Sequence, residues 1–488
     1  MKYRLNISEA ISHYSKYCPN KIAFDGEFLL SYRDLDNNIQ HYTNFLLNEV
    51  GENKKIGILL SDNQAFIYSL VGIMRSNNIF VLINPSLNIE DISQIVKNCE
   101  CDCIITNHKI NINTNIYLVD DIETSKKPTI RHNHSNIEDI AGILFSSGTT
   151  GLPKGIVKTH YSILSEIIMW NFEMQINKET KFLLTRPLFY TGGFLMLSTL
   201  LFSGATVILQ NKFSTKELID YADSITENID WAFLVPDQIS QMLQLANNST
   251  HKIAKKILVM GAAIEATQKV NFGRIFNCSV IESWGNTEGL GTITDLDDLQ
   301  IRPKSIGRPF IFDEMCIVDE SLNVLESEQL GYLAGMSDNL FSCYTGDDYN
   351  EENSIYRSDD IGYKDTDNYF YIVGRLSDKI NYNGHSFFPR EVEPKILEFD
   401  FISDCTVIGI PVENSEKIPV AVIMLKEQTE YPKDILKTIN DKLSIQHKIF
   451  DFMQVSNIPR NQGGKILKNE LIQQYISLKG TLCPNNKT

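Results

Sequence analysis

Ten consecutive residues, Ser-Ser-Gly-Thr-Thr-Gly-Leu-Pro-Lys-Gly (146–155), follow directly on the apolar run Ile143-Leu144-Phe145. Glycine lets a backbone bend sharply and bring its amides close to an anion. Ser146, Ser147, Thr149 and Thr150 add hydroxyl donors, and Lys154 adds a point charge. Glycine- and serine-rich stretches are most often surface linkers, but one that leaves a buried strand and ends in Lys-Gly reads as a cradle for phosphate. It is not the GxxxxGK[ST] loop of nucleoside triphosphatases, because Lys154 follows Pro153 and no Ser or Thr comes next. Gly463-Gly464-Lys465 fails the same test at Ile466, and no GxGxxG dinucleotide fingerprint occurs.

Six further segments concentrate glycine, aromatic, acidic and basic residues. They are Arg-Pro-Leu-Phe-Tyr-Thr-Gly-Gly-Phe (186–194), Gly-Ala-Ala-Ile (261–264), Glu-Ser-Trp-Gly-Asn-Thr-Glu-Gly (282–289), Tyr-Arg-Ser-Asp-Asp-Ile-Gly (356–362), Gly-Arg-Leu-Ser-Asp-Lys-Ile (374–380) and Pro-Arg-Asn-Gln-Gly-Gly-Lys-Ile-Leu (459–467). In this order and with residues 146–155, the set resembles the signatures of the adenylate-forming superfamily. That superfamily comprises acyl- and aryl-CoA synthetases, nonribosomal adenylation domains and beetle luciferases. The resemblance covers essentially the whole chain.

The chemistry implied is activation of a carboxylic acid. A carboxylate is a poor acylating agent until attack on the α-phosphorus of ATP turns it into a mixed anhydride that loses AMP. Such a site must hold ATP with Mg²⁺, neutralise pyrophosphate and align the acid in line with it. By resemblance, Ser146, Ser147, Gly148, Thr149, Thr150, Gly151 and Lys154 grip the β- and γ-phosphates. Gly261, Ala262 and Ala263 border the adenine, and Trp284, beside Gly285 and Asn286, offers it an aromatic face. Thr287 reaches the α-phosphate, and Glu288 is an oxygen ligand for Mg²⁺. Asp360 accepts from the ribose hydroxyls with Arg375 nearby. Lys465 is the catalytic lysine, steadying charge between the acid and the α-phosphate.

Tyr190, Gly192, Gly193 and Ser283 line the acid pocket in the same comparison. The two glycines leave room beside Tyr190 and Ser283 narrows the floor, which suits a medium acyl chain or an aromatic acid. No basic residue in these motifs marks a dicarboxylate. Asp378 falls at the hinge, and Gly384 in the loop that meets the thiol tunnel after domain rotation. Four positions depart from the commonest pattern: Tyr190 for a histidine, Asp359 for a glycine, Asn381 for a lysine, and Gly463 for a serine or asparagine. None removes a group that adenylation needs, whereas Asn381 bears on the acceptor step. The run Phe388-Pro389-Arg390-Glu391 is closer to acyl- and aryl-CoA synthetases. The expected function is therefore an acid:CoA ligase, with coenzyme A as co-substrate. The alternative is a stand-alone adenylation enzyme loading the phosphopantetheine arm of a carrier protein, which ends in the same thiol. A nucleotide-binding scaffold with little turnover is a third reading, and the presence of Lys465, Glu288, Asp360 and Arg375 speaks against it.

These residues need a scaffold. Residues 7–14 have helical spacing, KKIGILLS reads as a buried strand, QAFIYSLVGIMR as a helix and NIFVLINP as the next strand. The rhythm continues through ATVILQ, WAFLVP and KKILVMGAAI, so the fold class expected is α/β, with parallel-type sheets and helices in a large N-terminal lobe. Past residue 375, CTVIGIPV, IPVAVIML and YPKDILKTINDKLS suggest a small, mobile α+β domain, giving domains 1–377 and 378–488. A chain of 488 residues exceeds what one core supports. Its net charge of −16 disfavours nucleic acid or an anionic membrane as partner. No run reaches membrane-spanning length and the first residues carry no apolar signal stretch. Cys99-Glu100-Cys101-Asp102-Cys103 alternates as a strand would, placing three thiols on one face, and without a second ligand pair reduced cytosolic thiols are expected rather than a metal site. The expected protein is cytoplasmic, monomeric or homodimeric. His132, His134 and His160 near the loop carry no assignment.

Overall fold

The apolar runs become parallel strands covered on both faces, in a computed structural model that describes residues 6–61, 64–128, 135–146, 153–209, 215–224, 228–246, 251–347, 355–412, 416–426, 430–461 and 464–479. Ser147, Gly148, Thr149, Thr150, Gly151, Gly463, His132 and His134 lie outside the described residues. Contacts divide the chain into two units. The first is Met1–Pro303, Gly307–Glu314 and Gly335–Ile355; the second is Lys304–Ile306, Met315–Ala334 and Tyr356–Thr488. Packing thus groups Asp360 and Arg375 with the C-terminal residues.

The first unit holds two sheets. Among the described residues one has nine strands, in the order Arg308–Pro309, Gly291–Ile293, Ser279–Gly285, Lys256–Val259, Trp231–Leu234, Lys181–Leu184, Thr206–Leu209, Ile22–Gly26 and Leu30–Ser31. The six from Ser279–Gly285 to Ile22–Gly26 run parallel. The other has seven, in the order Cys343–Tyr344, Gly155–Thr159, Ile140–Phe145, Ile79–Leu82, Lys55–Leu59, Cys103–Thr106 and Asn115–Leu118, the last five parallel. Side chains alternate between faces along a strand. Phe182 and Leu184, Trp231 and Phe233, Phe80 and Leu82 enter one shared core between the sheets. Leu183, Ala232 and Leu234 face a second core outside the nine-stranded sheet, and Val81 and Ile83 a third outside the seven-stranded one. Burial on both faces is why these strands read as unbroken apolar runs.

In the second unit, strands Asp313–Val318, Gly331–Ser337, Tyr356–Lys364 and Phe370–Arg375 form a sheet whose first two strands start or end beyond the unit's limits. Ile402–Pro411, Lys417–Leu425 and Asp451–Gln454 form another. The latter is also double-faced, with Val407, Ala421 and Ile423 on one side and Ile408, Val420 and Val422 on the other. A hairpin, Ile380–Tyr382 with His385–Phe387, turns through Asn383 and Gly384 at φ 50° and 74°. Two left-handed residues make the Asn-Gly turn that matches strand twist, which explains both residue types.

The cysteine stretch departs from expectation. Cys99 caps the helix Ile89–Asn98, Glu100 takes a left-handed φ of 54°, and the strand starts only at Cys103. The alternation at 99–103 therefore spans a helix end and a turn, where period two has no meaning. All three thiols are buried. Burial pushes Cys99 up to about 11 and Cys103 up to about 12, so both remain protonated at neutral pH. Among the described residues no group of His, Cys, Asp and Glu is placed to hold a metal, and no helix is long and apolar enough to cross a membrane.

Candidate active site

Four motif loops of the first unit leave the carboxyl ends of parallel strands. Residues 146–154 follow Ile140–Phe145, 186–193 follow Lys181–Leu184, 261–263 follow Lys256–Val259, and 286–288 follow Ser279–Gly285. Open parallel sheets gather ligand-binding loops at this edge, where strands hand over to helices. Of residues 146–154, those described include Ser146, which is half-buried, and Lys154, which is exposed. Gly261 turns the chain at φ 102°, with Met260 between it and the end of its strand.

The 286–289 loop is tightly built. Asn286 Oδ1 accepts from the amides of Gly289 at 2.9 Å and Leu290 at 3.0 Å. Gly289 has φ 124°, and a Cβ there would lie 2.2 Å from the Asn339 carbonyl oxygen, so only glycine fits. Thr287 Oγ1 lies 3.1 Å from Thr191 Oγ1, which ties this loop to the 186–193 loop. Glu288 Oε1 accepts from the Tyr344 hydroxyl at 2.9 Å, and the Lys154 ammonium stands 5.2 Å from the centre of the Tyr344 ring. Tyr344 thus bridges the end of the phosphate loop and the acidic residue. It arrives through the pairing of Cys343–Tyr344 with Gly155–Thr159.

Beneath Glu288 lies a buried polar network. The Glu288 carbonyl accepts from the Phe341 amide at 2.7 Å and from Lys158 Nζ at 3.4 Å. Lys158 also donates to the Asn339 carbonyl at 2.6 Å and faces the Glu166 carboxylate at 3.4 Å, with side chains 0% and 8% exposed. Burial raises the Glu166 carboxyl while Lys158 opposes the rise. Asp313 accepts from the Gly291 amide at 2.8 Å and the Ser337 hydroxyl at 2.6 Å, yet burial still pushes it up to about 7. His160, first residue of the helix His160–Met174, is buried too, and burial pulls its imidazole down to about 4.

The pocket residues divide. Tyr190 is half-buried, and the Arg186 guanidinium carbon lies 4.7 Å above its ring. A Cβ on Gly192 would meet the Phe233 ring at 3.4 Å and the Met260 sulfur at 3.9 Å, so this glycine opens onto apolar walls. Gly193 differs: its Cβ would stand 2.1 Å from the Pro187 carbonyl oxygen. A glycine here lets the helix Thr191–Phe202 start against that backbone. Ser283 is buried, and its hydroxyl donates to the Thr292 carbonyl at 2.8 Å. Trp284 is half-buried in the same strand. Two donors here are enclosed with no hydrogen-bond partner among the described residues: Arg186 Nη1 and Asn286 Nδ2.

The second unit carries a separate set. Asp360 and Arg375 sit opposite each other on paired strands, and Arg375 Nε donates to Asp360 Oδ1 at 3.0 Å. Opposed residues of an antiparallel pair project from the same face, which is what brings these two together. Asp360 is buried, whereas Asp359 is exposed. Burial opposes the charge of Arg375, but Asp360, followed by Asp378 and Asp359, outweighs it and raises the guanidinium. Lys465 ends a turn closed by Asn461, whose Oδ1 accepts the Lys465 amide at 3.0 Å and whose own amide donates to the Lys465 carbonyl at 2.9 Å. Burial first, then Arg375, pulls the Lys465 ammonium down to about 8, against the pull of Asp378 and Asp360. Asp378 pairs with Lys468 at 3.0 Å, and Lys417 donates to the Ser377 carbonyl at 2.7 Å. Asn381 accepts from the Ser386 hydroxyl at 2.7 Å on the exposed hairpin.

Three residues of these sites escape a motif reading: Lys158, Arg186 and Tyr344. Arg186 stands inside a quoted motif and could have been flagged as a charge in an apolar run. Lys158 and Tyr344 carry no local signal, because burial and strand pairing give them their place.

A carboxylate held at one oxygen by Tyr344, with its backbone clamped by Lys158 and Phe341, suits a hard divalent cation such as Mg²⁺ at Glu288. The AMP-binding enzyme family model matches residues 12–345, and the model of the AMP-binding enzyme C-terminal domain matches 391–465. A 4-coumarate–CoA ligase-like protein of rice (Oryza sativa subsp. japonica) is 27% identical over 72% of this chain and 66% of its own length. A probable CoA ligase of hop (Humulus lupulus) is 28% identical over 69% of this chain and 64% of its own. The chain thus spans just under two thirds of the length of both. The o-succinylbenzoate CoA synthetase of Bacillus subtilis, solved with its acyl-adenylate intermediate, has the same fold, with a TM-score of 0.84 at 20% identity over 95% of this chain and 97% of that one. That synthetase has also been solved with ATP and magnesium ion.

Proposed function

From the premise that the chain belongs to the AMP-binding enzyme family, whose models match residues 12–345 and 391–465, we propose that it is an AMP-forming acid–thiol ligase. It converts a carboxylic acid and ATP to an acyl-adenylate and pyrophosphate, then passes the acyl group to the thiol of coenzyme A. In the first step a carboxylate oxygen bonds to the α-phosphorus and the bond from that phosphorus to the pyrophosphate oxygen breaks. In the second, the thiol sulfur bonds to the acyl carbon and AMP leaves.

The observation that carries this reading is the convergence, within the second unit, of Asp360, Arg375 and Lys465 from three separate motifs. Asp360 accepts from the ribose hydroxyls while Arg375 fixes its orientation. Lys465, desolvated and therefore strong as a hydrogen-bond donor, steadies the charge that moves from acid to α-phosphate. In the first unit Lys154 and the hydroxyls of the phosphate loop hold the departing pyrophosphate, Thr287 donates to the α-phosphate, and Trp284 covers the adenine. Glu288 would hold Mg²⁺, which supplies neutralisation of phosphate charge when bound. Asp378, anchored through Lys468, is the pivot about which residues 378–488 reorient between the two steps, and Gly384 then borders the thiol path.

The acceptor is decided by offering the adenylating protein coenzyme A and a phosphopantetheinylated carrier protein in parallel, with each acid of a panel. Acyl-CoA as the product supports the ligase; acyl transfer to the carrier alone supports the loading enzyme. Buried, protonated thiols and the charge of −16 fit a cytoplasmic enzyme of small molecules, monomeric or homodimeric, rather than a nucleic-acid binder.

A further inference from the structure

We infer that the acid this protein activates carries a second anionic group, and that Arg186 is the residue that selects it. The inference rests on the reading above, in which the 186–194 loop borders the acid pocket.

A buried cation without a counter-charge is costly, and folds normally compensate it. Among the described residues of the first unit, Lys158 faces Glu166, Lys269 reaches Glu282 at 2.6 Å and the Pro303 carbonyl at 3.0 Å, and Arg75 meets Asp36 at 2.7 Å. Arg186 breaks this pattern. Its Nη1 is enclosed with no hydrogen-bond partner, and it makes no ion pair among the described residues. Among the described residues its partner is the Tyr190 ring, 4.7 Å below the guanidinium carbon. Stacking on an aromatic face orients a guanidinium but satisfies none of its N–H donors. In the same 186–194 segment, Gly192 leaves space against apolar walls formed by Phe233 and Met260.

An apolar wall and one oriented, unsatisfied guanidinium on the same segment fit an acid with a hydrocarbon body and a carboxylate or similar oxyanion at its far end. A carboxylate matches the guanidinium fork with two parallel hydrogen bonds. The acid to be activated needs its own carboxylate for attack on phosphorus, so the group met by Arg186 is a second one. Tyr190, standing where an imidazole is usual, supplies the platform that keeps the guanidinium flat. On this inference Arg186 is the basic residue of these motifs that marks a dicarboxylate, through its environment rather than its type.

The test pairs acids of equal carbon number: succinate with butyrate, glutarate with valerate, adipate with hexanoate. Acid-dependent exchange of pyrophosphate into ATP is measured with the wild type, Arg186→Met and Arg186→Lys. The wild type should prefer the diacid in at least one pair. Arg186→Met should lose about 10- to 100-fold in kcat/KM for that diacid, mainly in KM, as expected for removing a hydrogen bond to a charged group. The diacid-to-monoacid ratio of kcat/KM should fall by about the same factor and the thermal midpoint should not fall, while Arg186→Lys should recover part of the diacid activity. Equal loss for both members of a pair, or wild-type preference for the monoacid throughout, overturns the inference. If no acid supports exchange, the proposed reaction fails, and calorimetric binding of the same pairs then judges Arg186. Diacid binding that disappears in Arg186→Met upholds its role, and unchanged binding overturns it.

Discussion

Adenylation by this protein should weaken as pH rises through about 8, because Lys465 acts as an ammonium and its surroundings hold it down to about 8. Burial contributes most, and the neighbouring Arg375 guanidinium adds to it. The protonated form is the active one, so the sign is a loss on the alkaline side. With such a value about nine-tenths of the free enzyme is protonated at pH 7 and about one-tenth at pH 9, a roughly tenfold fall. The ratio kcat/KM reports the free enzyme, so the limb belongs there; bound ATP, being anionic, moves the corresponding limb of kcat to higher pH. The assay is pyrophosphate exchange from pH 6.5 to about 9.5 at constant ionic strength, with ATP and acid both well below saturation. Lys465→Arg keeps its charge throughout this range, so its residual activity should lack the limb even though the planar head fits poorly. A wild-type kcat/KM that stays flat to the top of the range, or the same limb in Lys465→Arg, would refute the assignment.

Two further outcomes test other parts of the account. Lys158→Met leaves the Glu166 carboxylate buried without its cation and should cost about 3–5 kcal/mol in urea unfolding, most of it restored by Lys158→Met/Glu166→Leu; an unchanged midpoint in the single variant would contradict the network. Gly384→Val puts a branched side chain at φ 74° on an otherwise open turn and should preserve pyrophosphate exchange while abolishing thioester formation, whereas an equal fall in both would remove the division of labour.

Much of the scaffold was legible in the sequence, because strands buried on both faces write themselves as short apolar runs. QAFIYSLVGIMR is the helix Gln64–Arg75 residue for residue, and KKILVMGAAI contains the strand Lys256–Val259 with the glycine turn just beyond Met260. The motif loops could be placed for the same reason, since each follows such a strand. Legibility failed where tertiary surroundings override local type. Cys99 to Cys103 alternated like a strand while straddling a helix cap and a left-handed turn. Gly193 reads as pocket space, and a carbonyl 2.1 Å from its would-be Cβ adds a backbone reason that the string does not carry. Lysine is ordinarily a surface residue, so nothing in the string Val-Lys-Thr-His announced that Lys158 would be wholly buried under Glu288. Asp360, Arg375 and Lys465 were each visible as members of motifs, but the depressed ammonium comes from burial first and the nearby Arg375 second, against Asp360, and no spacing along the chain encodes that.

The central claim is that this chain cleaves ATP at its α-phosphorus with a carboxylate and uses Lys465 to do so. The most direct measurement is acid-dependent exchange of labelled pyrophosphate into ATP, without any thiol, for the wild type and Lys465→Ala. The account predicts exchange for the wild type with at least one carboxylic acid, AMP as the nucleotide product once a thiol is added, and a fall of about 10²-fold or more in Lys465→Ala. Release of ADP and phosphate, or exchange at the wild-type rate in Lys465→Ala, would contradict it.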